Sequence, residues 1–436
     1  MAIADEWLKY APKPRALSGT DRWNVFLSYR SVDRAWVLNL YDVLRELGHK
    51  VFLDQTALKP GDQLVKELQD ALKTSQAGIL VWSSATQDSD WVQREYQALE
   101  RLATERKGFQ FVPVRLDRSE VPLFAQNRIF LDFADYPDGP NGGELLRLLH
   151  GIAGVPLREE AARFGAEQDE GAKQAANKIK AAIETGKQTR LNSLFREDGL
   201  PWRVSAALGC KAAEGLTKLG SNDEALAMLK EIEVQFPKAI RPKQLRALAL
   251  ARRAVKTKNT DELDEAQGIL AELYAAGERD PETLGIYGRT WMDRYELDQD
   301  ELSLRKSRDL YAEAFDAAHD DYYTGINAAA KSVFLGTPAE LGKATEYAAR
   351  VLDVVGTNPW PNDYWKTATV AEAFLLEKNY PRAAELYRTA VAMSPKETGS
   401  HGTSWTQARR LMGKLGATAE EQELVRRAFG SVAQGQ

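Results

Sequence analysis

The chain has 436 residues, of which 44% are hydrophobic and 28% are charged, and its formal net charge is −5. This length exceeds what one hydrophobic core usually supports, so two or three structural units are expected. The mild acidity argues against a dedicated nucleic-acid-binding protein. A single cysteine, Cys210, excludes an intramolecular disulfide and a cysteine-rich metal site.

The first part of the chain gives no sign of export or membrane insertion. Residues 1–19 carry Asp5, Glu6 and two prolines, and they lack the apolar stretch of a signal peptide. No apolar run approaches the ~18 residues that span a bilayer. We therefore expect a cytoplasmic protein with no membrane partner.

Short apolar strands alternate with amphipathic helices from residue 23 to about residue 154. This alternation predicts a flavodoxin-like, doubly wound parallel sheet with both faces covered by helices. Such sheets bind ligands beyond the carboxyl ends of their strands, where the strand order reverses. The five strands are predicted at residues 25–29, 50–54, 78–82, 109–116 and 129–133.

Strand patterns then stop, and small residues recur in the helical remainder. Ala225, Ala266, Ser307, Ala344 and Ala383 follow one another at intervals of 41, 41, 37 and 39 residues. A small residue lets a partner helix approach closely, which is typical of stacked helical hairpins in a tetratricopeptide-like solenoid. An irregular helical bundle is the alternative. The predicted domains are an α/β domain at residues 20–155, a helical linker at 156–200, helical repeats at 201–395 and C-terminal capping helices at 396–436.

Three sequence boxes fall on the predicted strands and helices of the α/β part. The first is Phe-Leu-Ser-Tyr-Arg-Ser at residues 26–31, followed by Asp33. The second is Val-Phe-Leu-Asp at 51–54, running into Leu-Lys-Pro-Gly at 58–61. The third is Ser83-Ser84 followed by Ser-Asp-Trp-Val-Gln-Arg-Glu at 89–95. In this order the boxes resemble the TIR domain family, over residues 23–154, with the second box leading into the loop known there as the BB loop.

The resemblance implies a catalytic role for Glu95, because enzymatic TIR domains cleave NAD to nicotinamide and ADP-ribose. Nicotinamide leaves NAD as a cationic group and needs no acid, so the enzyme must mainly stabilise the oxocarbenium-like ribosyl group that remains. A carboxylate beside the ribose can do so electrostatically. Trp91 lies four residues before Glu95 and therefore shares its helix face, so the indole and the carboxylate are expected to line one cleft.

The same family pattern implies further substrate-binding residues. Arg30 and Ser31 would contact ribose or phosphates, Asp54 would lie at the ligand edge of the sheet, and Phe26 and Trp91 complete the predicted set. The alternatives are a surface ion pair for Arg30, a loop cap for Asp54 and core packing for Phe26. No cofactor is expected, since NAD is the substrate. The four histidines are scattered without metal-ligand spacing, so no metal site is predicted.

The repeat half carries a second resemblance. Tyr287-Gly288-Arg289, the stretch from Tyr323 to Ala329, and the stretch from Asp363 to Ala373 resemble the tetratricopeptide-like TRAF-binding region of apoptosis signal-regulating kinases. That region is a regulatory, self-associating module. No kinase motif is present in the sequence, so kinase activity does not follow. The same residues can also be interpreted as helix packing alone.

These observations lead to one main functional hypothesis and one alternative. The main hypothesis is a TIR-domain NAD⁺ glycohydrolase that acts on self-assembly through its TIR domains, under a repeat sensor for an unknown protein or small-molecule trigger. The expected setting is bacterial immunity or antiphage defence, with a cyclic ADP-ribose as a possible product. The alternative is a non-enzymatic scaffold or adaptor. Glu95 and Trp91 favour the enzyme, because an adaptor needs neither.

Overall fold

The computed structural model describes residues 5–53, 69–86, 90–121, 125–197, 199–318, 320–395 and 397–430. The chain divides into two compact units, Met1–Leu270 and Ala271–Gln436. Among the helices of these described residues, none combines the length and the apolar character needed to cross a membrane.

The first unit contains a five-stranded parallel sheet, as the sequence predicts. The order β2-β1-β3-β4-β5 places the reversal of direction between β1 and β3, which is where ligands bind in folds of this type. Strand β3 is buried along its whole length, because helices cover both faces of the sheet. The strands are β1 (Trp23–Ser28), β2 (Val51–Leu53), β3 (Ser75–Trp82), β4 (Gln110–Arg115) and β5 (Leu131–Asp132).

Alternate strand residues point into two different hydrophobic clusters. In β1, Val25 and Leu27 join the larger cluster, whereas Phe26 joins the smaller one on the opposite face. The described helices of the first unit are α1 (Asp5–Leu8), α2 (Arg34–Glu46), α3 (Asp90–Glu105), α4 (Gly142–Ala153), α5 (Glu159–Glu184), α6 (Gln188–Arg196), α7 (Ala207–Lys218), α8 (Asn222–Gln235) and α9 (Arg241–Thr257). Residues 69–73 are also helical, and α10 (Thr260–Ala275) lies across the division between the units.

Helices α5 and α6 occupy the region that the sequence assigns to a helical linker, and they pack within the first unit. A Cβ added at Gly143 on α4 would lie 2.8 Å from the backbone of Gly165 on α5, so the two helices meet through glycines. The side chains of Ile179 on α5 and Leu191 on α6 are fully buried in the same cluster as strands β1 and β3. The domain boundaries drawn from the sequence concern which segments fold independently, and they stay a prediction.

A carboxylate on α2 caps the start of α9. Asp42 is 2% exposed, and both of its carboxylate oxygens accept the backbone N–H of Ile240 at 2.9 Å. The N–H of Arg241 adds a bond of 3.2 Å to Asp42 Oδ2. N–H groups at a helix start have no partner within the helix, and the helix dipole favours a negative charge there. Asp42 therefore supplies a cap to α9 from the sheet-covering helix α2.

In the described residues of the second unit every regular element is a helix, as the predicted tetratricopeptide-like solenoid requires. Ser307 is buried, and its hydroxyl donates to the carbonyl of Gly288 at 2.7 Å. A Cβ at Gly325 would lie 2.7 Å from Val351. Small residues thus mark close helix approaches. The helices are α11 (Pro281–Asp298), α12 (Glu301–Ala317), α13 (Tyr322–Leu335), α14 (Pro338–Val355), α15 (Tyr364–Leu376), α16 (Tyr380–Met393), α17 (Thr398–Leu415) and α18 (Ala419–Ala428).

Candidate active site

Polar side chains stand at the carboxyl ends of the two central strands. Strand β1 ends at Ser28 after a buried apolar run, and Ser83 directly follows β3. The two serines are 3% and 5% exposed. Because the strands are parallel neighbours, both serines lie at the ligand edge of the sheet, close to the point where the strand order reverses.

Ser28 contacts the carboxylate that the sequence predicts to be catalytic. Glu95 lies on α3 and is half-buried. The Ser28 hydroxyl donates a short hydrogen bond to Glu95 Oε2. A hydrogen bond to an ionised carboxylate is stronger than one between neutral groups. The contact holds Glu95 at the expected edge of the sheet, and its role in catalysis stays a prediction.

A second serine–carboxylate pair lies beside the first. Ser83 Oγ donates to Asp33 Oδ2 at 2.8 Å, which joins the turn after β1 to the end of β3. The pKa of Asp33 is raised to about 6, mainly by burial and in smaller part by the nearby Asp117, against the lowering effects of Ser83 and Arg30. This edge of the sheet therefore holds a carboxyl group with a pKa of about 6.

Asp117 connects the segments that follow β3 and β4. Its carboxylate accepts the backbone N–H of Ser84 at 2.7 Å and that of Ser119 at 3.1 Å. Burial alone would raise the pKa of Asp117, but the hydrogen bonds from Ser119 and Ser84 lower it below its usual value. Asp117 therefore stays ionised, whereas the nearby Asp33 holds its proton more tightly than Asp117 does.

Of the other predicted site residues, Arg30 and Phe26 lie within the described part of the structure. Arg30 is half-buried just after β1, and its positive charge lowers the pKa of Asp33. Phe26 is 3% exposed and stacks on Phe52 with ring centroids 5.4 Å apart, as the core-packing alternative describes. Its contact with substrate stays a prediction. Asp54 and the loop up to residue 61 lie outside the described residues.

Two further predicted residues are described by their backbone only. Ser31 lies in the short helix Ser31–Asp33, and Trp91 lies in α3 one turn before Glu95. Their side chains lie outside the described part of the structure. Within that described part, no group of three or more His, Cys, Asp or Glu residues is arranged to hold a metal ion.

Sequence reasoning did not identify Ser28, Asp33, Ser83 and Asp117 as members of the site. Ser28, Ser83 and Asp117 end or closely follow an apolar strand, and Asp33 lies in the turn after β1. A polar residue at the carboxyl end of a buried strand is the signal that could have found them.

Family comparisons agree with this fold. A family model described as TIR domain matches residues 25–148. A second, described as Tetratricopeptide Repeats-Sensor, matches residues 213–332. Both predicted parts of the chain are thereby confirmed, whereas the specific resemblance to apoptosis signal-regulating kinases stays a prediction.

Curated relatives each match a limited part of the chain. The probable 2′ cyclic ADP-D-ribose synthase BdTIR of Brachypodium distachyon is 32% identical over 101 residues, which are 23% of this chain and 43% of that protein. The NAD(+) hydrolase PdTIR of Paracoccus denitrificans is 30% identical over 105 residues, which are 23% of this chain and 35% of that protein. This chain thus spans less than half the length of either relative.

Among solved structures, the TIR domain of the Toll-related receptor TRR-2 from Hydra magnipapillata matches with a TM-score of 0.23 and 26% identity. The match covers 26% of this chain and 86% of that domain. The chain carries an N-terminal TIR domain followed by a tetratricopeptide-like sensor region.

Proposed function

We propose that this chain is an NAD⁺ glycohydrolase in which Glu95 is the catalytic carboxylate. The observation that carries the proposal is the position of Glu95 at the ligand edge of the sheet, held there by the Ser28 hydroxyl. The names of the TIR relatives, an NAD(+) hydrolase and a cyclic ADP-D-ribose synthase, support NAD as the substrate. NAD is then consumed, and no separate cofactor takes part.

The proposed reaction breaks the bond between the ribose anomeric carbon and the nicotinamide nitrogen. The bonding electrons leave with nicotinamide, which becomes neutral, and the positive charge moves to the ribosyl group. The Glu95 carboxylate stabilises this charge, and Ser28 fixes the carboxylate orientation. Water then adds to the anomeric carbon and loses a proton, giving ADP-ribose. Attack by a hydroxyl of the same molecule gives a cyclic product instead. A preorganised electrostatic stabiliser of this kind contributes a factor of ~10²–10³ in rate.

Regulation is part of the proposal. The TIR domains self-associate, with the loop at residues 54–61 of one copy completing the site of the next, and the repeats control this assembly in response to a protein or small-molecule trigger. The match of residues 213–332 to a sensor family supports such control. We place this activity in the cytoplasm and in bacterial immunity, with antiphage defence as the proposed setting.

A non-enzymatic scaffold remains the second candidate. It would use the TIR domain only to dock other TIR domains. The Ser28–Glu95 contact favours the enzyme, because a docking surface does not require a half-buried carboxylate at the ligand edge of the sheet.

Nicotinamide release from NAD by the full chain tests the proposal. We expect the parent to release nicotinamide, and Glu95→Gln and Glu95→Ala to lose activity by about 10²–10³-fold while remaining folded. Glu105→Gln is the matched control, since Glu105 lies on the same helix, is exposed and, among the described residues, forms its ion pair with Arg101. Chromatography of the products separates ADP-ribose from a cyclic form. Parent activity in Glu95→Gln would refute the catalytic assignment, and an inactive parent at high protein concentration would favour the scaffold.

A further inference from the structure

Four helices of the second unit bring charged and amide side chains to one region, which we call the inner cluster. Helix α13 contacts both α15 and α17. The ammonium group of Lys331 on α13 interacts electrostatically with residues on α11, α15 and α17. The inner cluster consists of Arg289 and Asp293 on α11, Asn327 and Lys331 on α13, Glu372 on α15, and Gln407 and Arg410 on α17.

Lys331 is a buried cation with little compensation. It is 6% exposed, and its Nζ donates one hydrogen bond, to Asn327 Oδ1 at 2.7 Å. Its ammonium group also lies 5.3 Å from the centre of the Tyr311 ring. Within the described residues, no carboxylate lies within 4.0 Å of it. An ammonium group has three donors, so this side chain keeps bonding capacity for another acceptor.

The surroundings of Lys331 make its charge costly. Its pKa is lowered to about 8, mainly by burial and in smaller part by the positive charges of Arg410 and Arg289, while Glu372 and Asp293 act in the opposite direction. Arg289 has its own carboxylate partner in Asp293, at 3.7 Å. Arg410 pairs with Glu296 at 2.5 Å. Lys331 is therefore the cation of this group that lacks an ion-pair partner among the described residues.

Glu372 is the acidic counterpart of Lys331 in the inner cluster. Its carboxylate accepts one hydrogen bond, from Gln407 Nε2 at 3.1 Å, and burial raises its pKa. Glu372 and Lys331 attract each other but do not form an ion pair. A buried base and a half-buried acid that serve only to stabilise the fold are usually joined directly, because separation leaves both desolvation costs without compensation. Titratable groups with perturbed pKa values are enriched at functional sites.

We propose that the inner cluster binds a polar small molecule through an anionic group, either phosphate or carboxylate. That group pairs with Lys331 between Arg289 and Arg410, and hydroxyl or amino donors of the ligand meet Glu372. The inner cluster draws on the three stretches of the repeat half described above, at 287–289, 323–329 and 363–373, which contain Arg289, Asn327 and Glu372. The NAD site uses none of these stretches. The site is contained in the second unit, so its test does not depend on NAD cleavage.

Ligand binding to the full chain, measured by calorimetry and by melting temperature, tests the proposal. The probes are ribose 5-phosphate, inorganic phosphate and citrate, with neutral ribose as the uncharged control. We expect an anionic probe to bind the parent and neutral ribose not to bind. Lys331→Met should weaken that binding by at least about tenfold, since a charged hydrogen bond is lost. Lys414→Met is the matched control, because Lys414 is exposed and the change in charge is the same.

Two further measurements separate a binding role from a structural one. Glu372→Gln should weaken ribose 5-phosphate more than inorganic phosphate, which has no ribose hydroxyls. Without ligand, Lys331→Met should melt no lower than Lys414→Met, because it removes a buried charge. Binding of citrate alone would identify a carboxylate ligand, and binding of the phosphates alone a phosphate ligand. Absence of binding by every anion at millimolar concentration, unchanged binding in Lys331→Met, or a lower melting temperature of ligand-free Lys331→Met would each overturn the proposal.

Discussion

The carboxylate of Asp42 accepts the backbone N–H of Ile240, which lies 198 residues further along the chain. Glu46, one turn later on α2, accepts the N–H of Lys238 at 2.6 Å. The start of α9 is therefore anchored to a helix that covers the sheet. Any rearrangement that separates α2 from α9 must break these hydrogen bonds, of which those to Asp42 from Ile240 are buried.

Removal of the Asp42 carboxylate should destabilise the first unit. Asp42→Ala leaves buried N–H groups at the start of α9 without an acceptor, and we expect a loss of about 2–3 kcal/mol in the free energy of unfolding. Asp42→Asn keeps one acceptor oxygen and should lose less. Urea unfolding followed by fluorescence measures both, with the exposed Asp353→Ala as control. An Asp42→Ala midpoint equal to that of the control would show that the cap contributes nothing.

Loss of the Ser28 hydroxyl should lower turnover more than substrate binding. Ser28→Ala removes the donor that holds Glu95, and a hydrogen bond to a charged group contributes about 1.5–3 kcal/mol, so kcat should fall by about 10–100-fold with a small change in KM. Ser28→Thr keeps a hydroxyl and should recover part of the rate. Steady-state kinetics of NAD cleavage gives both constants. Equal activity of Ser28→Ala and Ser28→Thr would show that the hydroxyl does not position Glu95.

Asp33→Asn should stabilise the protein at neutral and alkaline pH. The folded state raises the pKa of Asp33 to about 6, so the native protein binds this proton more tightly than the unfolded chain. The resulting stability is complete below about pH 4 and is lost as the pH rises through 6. The asparagine side chain stays neutral at every pH, so the variant should gain about 3 kcal/mol over the parent at pH 8 and nothing near pH 4.

Asp117→Asn is the control for that experiment, because its effect on stability at pH 8 should have the opposite sign. The pKa of Asp117 is held below the usual value, so the stability it contributes is present above about pH 4 and is lost at lower pH. The substitution should therefore destabilise the protein at pH 8. Urea unfolding of the parent and both variants at pH 5 and pH 8 gives the comparison. A gain for Asp33→Asn that does not change with pH would rule out titration of Asp33 as its cause.

If assembly completes the NAD site, activity should depend on protein concentration. Gly61→Arg changes the loop without removing a proposed catalytic group, and we expect it to abolish activity. The specific activity of the parent should rise as the protein is concentrated, since assembly is a mass-action equilibrium. Light scattering recorded alongside the activity assay follows oligomer size. A constant specific activity from a persistent monomer, unaffected by Gly61→Arg, would contradict the assembly mechanism while leaving the role of Glu95 intact.

Local patterns in the sequence were enough to predict both parts of the fold. Alternation of buried strands with amphipathic helices predicted the parallel sheet, because residues on an element repeat with its own period. Small residues such as Ser307 and Ala383 predicted the helical repeats, because close helix packing needs them at regular intervals. The TIR boxes also placed Glu95 on the helix where the structure has it.

The polar partners were decided by the tertiary structure alone. Ser28 and Glu95 are 67 residues apart, and Asp42 and Ile240 are 198 apart. A single hydrogen bond between distant elements has no periodicity, so no local pattern reveals it. The same holds for α5 and α6, where the sequence predicts a helical linker but where burial depends on the surface that α4 and α7 present. The period of the apolar residues in the sequence determines which face of a helix or strand is buried. Which other element covers that face depends on how the elements pack in space.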